Sequence, residues 1–249
     1  MELKQASILL VDDEPFLREI MGEWLARVAG QVFCAEDGAE ALKLLAANKI
    51  DLILSDVRMP VMDGIALLKK VKEAGTRTPG VIFITGFSDV PLREAYDMGA
   101  EAILEKPITR EDLLLIAKRT LVEADELWRE PPIAAPEMKL KITFDSSLTA
   151  ALKEKRIAFG RRGFCIDTAH GLREGPVEFA VDFKDDRLVL LGQGVVRWVA
   201  PEEGKAGIEI TYLDDASRSW VVDHVERSQP LAFIPGFAGL DSSLQTNIA

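Results

Sequence analysis

Short apolar runs and amphipathic stretches alternate along the first half of the chain. Runs of β-type residues fall near 7–11, 31–35, 51–55, 80–84 and 102–104. Between and after them, apolar residues recur at helical spacing near 15–28, 38–47, 64–74, 89–98 and 109–128. Strands that are apolar on both faces and alternate with helices predict a parallel sheet covered on both sides. The last helix carries Leu113, Leu114, Ala117, Leu121, Ala124 and Leu127 near helical spacing, which predicts an arm running on to residue 128. Glu130-Pro131-Pro132 ends it, and 129–136 reads as a linker.

The pattern then changes from period 3.6 to period 2. Leu140, Ile142 and Phe144 alternate with polar residues, and so do the apolar positions of Val177–Phe183. Leu188–Leu191, Val195–Val199 and Ile208–Tyr212 read as further strands between Gly- or Asp-rich turns. Asp145–Lys155 reads as a helix opened by Asp145 or Ser146, and 216–227 as one capped by Asp214 or Asp215. Short antiparallel strands with one or two helices over 137–227 predict a small β barrel. The tail, 228–249, is polar with isolated apolar residues and is expected to pack on the barrel or stay loose.

Charge and cysteines narrow the function classes. The net charge is -11, with residues 1–130 at net -8 and residues 131–249 at net -3. Neither half is basic and the second shows no helix-turn-helix pattern, so a DNA-binding output is not expected. No apolar stretch approaches the ~20 residues of a membrane span. The first residues show no secretory pattern, and Cys34 and Cys165 have no metal-ligand spacing. Packed thiols in the cytoplasm are expected. His170 and His224 have no cysteine or acid at metal or triad spacing, so surface or core roles are expected. Trp198 and Trp220 are expected to pack in or on the barrel.

The candidate chemistry sits where strands end. Asp12 and Asp13 follow the first strand, Asp56 the third, Thr85 the fourth and Lys106-Pro107 the fifth. In a parallel sheet these ends meet at one edge, where open α/β sheets bind ligands. Three carboxylates, a hydroxyl and an ammonium together suit a hard cation and a phosphoryl group.

Four stretches carry a family resemblance: Val11-Asp12-Asp13-Glu14-Pro15, Asp56 through Gly64, Ile84-Thr85-Gly86 and Glu105-Lys106-Pro107. With these, residues 1–125 resemble the receiver domain of two-component response regulators, a flavodoxin-like, doubly wound five-stranded parallel sheet, and the domain with its extended last helix is expected to span 1–128. The resemblance implies that Asp56 accepts a phosphoryl group from a histidine kinase or phosphotransfer protein. It implies Mg²⁺ held by Asp12 or Asp13, Asp56 and the Arg58 backbone carbonyl, with Lys106 pairing the phosphoryl group and Thr85 turning inward to it. The bond before Pro107 is expected to be cis. No enzymatic activity is expected beyond the domain's own phosphorylation and dephosphorylation. Two positions depart from the pattern: Ile103 and Ile108 stand where family members often carry aromatics. Arg93, Asp97, Glu101, Arg110 and Glu111 are expected near a face that either pairs across a homodimer or is simply solvated.

A second resemblance rests on Arg161 through Ile166, Gly192 through Val199 and Ala206 through Ile210. Residues 137–227 resemble a PilZ-type barrel, whose best-known ligand is cyclic di-GMP. Arg161 and Arg162, within a basic cluster with Lys153, Lys155 and Arg156, are the candidate nucleotide contacts. The family's ligand motif is broken, since Ala158 and Gly160 stand at its specifying positions and Arg129 is alone upstream. Two outputs stay open: docking of an unknown downstream protein, or cyclic di-GMP sensing.

Overall fold

The computed structural model describes residues 1–74, 79–86, 91–131, 136, 138–167 and 171–236. Contacts divide the chain into two units: Met1–Pro91 with Met98–Glu123, and Leu92–Asp97 with Ala124–Ala249.

In the first unit, β1 (Ser7–Val11), β2 (Gln31–Ala35), β3 (Leu52–Ser55), β4 (Gly80–Thr85) and β5 (Ala102–Glu105) form an all-parallel sheet. Its order is β2-β1-β3-β4-β5, the doubly wound flavodoxin-like arrangement. Helices α1 (Pro15–Ala26), α2 (Gly38–Ala47), α3 (Gly64–Ala74) and α5 (Arg110–Leu121) belong to this unit, and α4 (Leu92–Asp97) to the other. Capping explains where helices begin. The Asp37 carboxylate accepts from the N–H groups of Ala39 and Glu40, and the Thr109 hydroxyl accepts from Asp112 N–H. Lys118 and Arg119 in the last turn of α5 complement its dipole. The core gathers Ile8, Leu10, Leu54, Ile82 and Ile84 with Leu113 and Ala117 of α5.

The expected arm does not form. Helix α5 ends at Leu121, where Val122 turns extended (ψ 136°). The apolar residues beyond it serve another core. Ala124 and Leu127, on the short α6 (Ala124–Leu127), pack against the second unit's cluster, and Trp128 is wholly buried in it. The Trp128 indole donates to the Ile210 carbonyl at 3.0 Å, and the Trp128 carbonyl accepts from Leu213 N–H at 3.1 Å. Residues 132–135 of the expected linker lie outside the described residues.

The second unit is a six-stranded sheet curled into a half-barrel. It runs β6 (Met138–Phe144), β9 (Gly175–Phe183), β10 (Leu188–Ala200), β11 (Lys205–Leu213), β8 (Gly163–Ile166) and β7 (Ile157–Phe159). The sheet is not purely antiparallel as expected, since β6 runs parallel to β9. The two runs expected at 188–191 and 195–199 are one strand. Gly192 and Gly194 read as a turn, but a Cβ there would lie 2.4 Å from the Tyr212 carbonyl oxygen and 2.5 Å from that of Glu209. They are glycine because β11 packs close, and the register shifts at Gln193/Gly194. Helix α7 (Leu148–Lys153) is capped by Ser147 rather than Asp145 or Ser146, and α8 (Asp215–Ser228) by Asp214. Cys165 is buried, whereas Cys34 is exposed on β2 and not packed as expected. Trp220 stacks on His224 (centroids 5.0 Å apart), and Phe159 meets both edge-on. Burial lowers the His224 pKa, consistent with a core role. His170 lies outside the described residues.

Candidate phosphoryl-acceptor site

The carboxyl ends of β1, β3, β4 and β5 bring Asp12, Asp13, Asp56, Thr85 and Lys106 to one edge. Asp12 and Asp56 are buried there, and Asp13 is exposed. The carboxylates of these three lie within 4.8 Å of one another, a set able to hold a metal ion. Lys106 reaches into the same pocket. Its Nζ donates to Asp56 Oδ2 at 2.6 Å and to Asp12 Oδ2 at 3.0 Å, and stands 3.7 Å from Glu14 Oε1. The Lys106-Pro107 peptide is cis, and Lys106 N–H donates to the Thr85 carbonyl at 2.7 Å. Thr85 ends β4 and is buried.

Backbone groups hold Asp56 in place. Its Oδ1 accepts from Val57 N–H at 2.5 Å and Arg58 N–H at 3.2 Å, which leaves Oδ2 for Lys106. Its carbonyl accepts from the Ser55 hydroxyl at 2.7 Å. Gly64 matters for the same reason: a Cβ there would lie 2.2 Å from the Asp56 carbonyl oxygen. Two supports escaped the sequence reading. The Arg18 guanidinium donates to the Asp12 carbonyl at 2.5 Å, and Asp12 Oδ1 accepts from Glu14 N–H at 2.9 Å. Arg18 follows Pro15 on the first turn of α1, so its position was legible but its direction was not.

Electrostatics follow from burial. Desolvation pushes the Asp12 carboxyl above its ordinary value, despite the opposing hydrogen bonds from Lys106 and Glu14 N–H. Burial works against the Lys106 ammonium, but hydrogen bonds to Asp56 and Asp12 outweigh it and raise its pKa. Lys106 is thus a fixed cation among carboxylates, the arrangement required where negative charge arrives.

The residues on the expected charged face divide. Arg93 pairs with Glu203 (2.7 Å) and the Gly236 carbonyl, and Asp97 accepts from Gly236 N–H, all within the second unit. Glu101 is buried. The expected nucleotide contacts are also engaged there. Arg161 N–H donates to the Ala232 carbonyl, Arg162 N–H to that of Phe233, and Arg161 Nε to that of Leu231. Arg156 pairs with Asp167 at 3.6 Å.

Fold and pocket together define a doubly wound α/β domain with a carboxylate cluster able to hold a cation and a half-buried lysine at its ligand edge. Residues 8–118 match the family described as "Response regulator receiver domain", and this N-terminal part of the chain is a receiver domain of that family. Among curated proteins, the chain is 32% identical over 168 residues to the transcriptional regulatory protein GlrR of Escherichia coli (strain K12), covering 66% of this chain and 38% of that protein. It is 40% identical over 115 residues to the regulatory protein AtoC of the same strain, covering 46% and 25%. It is 34% identical over 123 residues to the sensor histidine kinase RcsC of Salmonella typhimurium, covering 49% and 13%. The chain therefore spans well under two thirds of these relatives. Among solved structures, it is 32% identical to the chemotaxis response regulator CheY4 of Vibrio cholerae, covering 47% of this chain and 99% of that one, with a TM-score of 0.44. Among the described residues, no helix is long and apolar enough to cross a membrane.

Proposed function

We propose that this chain is a response regulator whose Asp56 accepts a phosphoryl group from a phosphohistidine, and whose second unit is the output. The observation that carries the reading is the convergence on Asp56 Oδ2 of the Lys106 ammonium, at 2.6 Å, beside the carboxylates of Asp12 and Asp13. In the reaction, a carboxylate oxygen of Asp56 forms a bond to phosphorus while the phosphorus–nitrogen bond to the donor imidazole breaks. The imidazole leaves with the bonding pair and takes a proton. Asp12, Asp13, Asp56 and the Arg58 carbonyl would hold Mg²⁺, which neutralises charge on the transferring oxygens when bound. Lys106 exchanges its bond to Asp56 for one to the new phosphoryl oxygens, and the Thr85 hydroxyl supplies a further donor.

For the output we favour a PilZ-like half-barrel that acts by protein contact, without DNA. The acidic balance supports this. The test of the central claim is intact-mass spectrometry after incubation with acetyl phosphate and Mg²⁺. One phosphoryl adduct is expected, absent from Asp56→Ala. An adduct that persists in Asp56→Ala would overturn the assignment.

A further inference from the structure

A second, smaller apolar cluster lies outside the main core of the second unit. It consists of Tyr96, Cys165, Trp198, Phe233 and Ile234, each almost wholly buried. The register shift between Val196 and Trp198 turns the indole out of the main core, and Gly207 leaves room for it: a Cβ there would lie 2.2 Å from the ring. On this face of the sheet lie the chain's own segment Leu231–Gly236 and, from α4, Tyr96 and Arg93.

That segment is held as a bound peptide is held. Main-chain groups read it: Arg161 N–H to Ala232 O (2.9 Å), Arg162 N–H to Phe233 O (3.1 Å) and Phe233 N–H to Tyr96 O (2.9 Å). Gly160 gives the backbone its approach, since a Cβ would come within 2.5 Å of the Phe233 carbonyl oxygen. Phe233 stacks on Tyr96 with centroids 5.6 Å apart, and Ile234 is fully buried. At the far end Asp97 accepts from Gly236 N–H (2.6 Å), and the Arg93 Nε donates to Gly236 O (3.0 Å). Arg93 also lies over the Trp198 ring at 5.1 Å. Main-chain bonds that give affinity and pockets that give specificity are how extended peptides are recognised.

The self-contact is imperfect. The Trp198 indole N–H is buried and donates to no acceptor among the described residues. The segment also lies outside the main core cluster and is joined to α8 only through Gln229 and Pro230. We propose that this face is a peptide-recognition site kept shut by Leu231–Gly236, and that displacement of this segment opens it to a partner's peptide segment of the same chemistry: an aromatic residue followed by an aliphatic one. The proposal is independent of Asp56 chemistry. It stands or falls on the unphosphorylated full chain.

The test uses the full chain with Cys34→Ser, so that Cys165 is the one thiol. The probe is a labelled synthetic peptide of residues 230–236. A tethered segment competes at high effective concentration, so the parent should bind the peptide weakly. Phe233→Ala and Ile234→Ala, both in the segment and not in the face that receives it, should each bind it at least about tenfold more tightly, and should expose Cys165 to a maleimide at least about tenfold faster, with the peptide restoring protection. A peptide lacking the phenyl ring should fail. Equal affinity in parent and variants, or unchanged Cys165 labelling, would overturn the proposal. Circular dichroism checks folding, and should Phe233→Ala unfold, Ile234→Ala decides. Formation of a dimer that the peptide dissociates would assign the occupant to a second copy and overturn closure within one chain.

Discussion

Replacing Trp128 with alanine tests where the second unit begins. The side chain is fully buried among the core residues of that unit, and its indole N–H satisfies the Ile210 carbonyl. Truncating a buried tryptophan costs about 3–5 kcal/mol, through lost transfer energy and the cavity left behind. Trp128→Phe keeps most of the apolar contact but leaves that carbonyl without its donor, a loss of about 1–3 kcal/mol. With a urea dependence of about 1.5 kcal/mol per molar for a domain of this size, the alanine variant should lower the midpoint of the second unit by roughly 2–3 M. Hydrogen exchange with mass spectrometry across a urea series reads peptides from each unit separately. The midpoint of α5 peptides should stay where it is, while that of β10 and β11 peptides falls. If both variants left β10 and β11 unchanged, Trp128 would not be a core residue and residues 124–128 would be only an extension of α5.

Four further outcomes follow from the site. Gly64→Ala places a Cβ against the Asp56 carbonyl oxygen, so it should cost about 1–3 kcal/mol and slow labelling by acetyl phosphate, read by intact mass. Lys106→Ala should leave Asp56 and Asp12 without their shared cation and reduce labelling sharply, with Lys106→Arg failing to restore it because a planar fork does not replace a compact ammonium. Mg²⁺ at one hundred times its dissociation constant should stabilise the first unit by about 2.7 kcal/mol in thermal melts, and Asp13→Ala should lose most of that gain. The raised pKa of Asp12 means the folded state favours its protonated form. Its penalty is therefore absent below the ordinary value of 3.8 and grows as pH rises through the raised value. Without Mg²⁺, Asp12→Asn should thus be more stable than the parent at neutral pH, with the gap closing in acid. A gap independent of pH would refute this.

The receiver was legible because its signals are local and mutually consistent. Strand, acid and helix follow one another, so Asp12, Asp56 and Lys106 could be placed at one edge from topology alone. Where reading failed, distant residues decided. Ala124 and Leu127 keep the helical period of α5, yet they pack in a different core, and no spacing rule reveals which core claims a residue. Gly192 and Gly194 read as a turn because the carbonyls of Tyr212 and Glu209 that exclude a side chain there are remote in sequence. Strand β7 is three residues long, too short to show alternation.

Helix α4 has a consequence for how this protein can be taken apart. In sequence it lies inside the receiver match, yet its contacts group it with residues 124–249. The polypeptide therefore passes into the second unit at Leu92, returns at Met98 and leaves again at Ala124. No single cleavage yields two complete modules. A fragment ending at Glu123 would carry Tyr96 stripped of Phe233, and one starting at Ala124 would carry Phe233 and Gly236 without Tyr96, Arg93 or Asp97. Exchange of residues 124–249 between such proteins, in the laboratory or in evolution, must therefore carry compensating changes on one six-residue helix, which makes α4 the place to look for the grammar of compatible pairings.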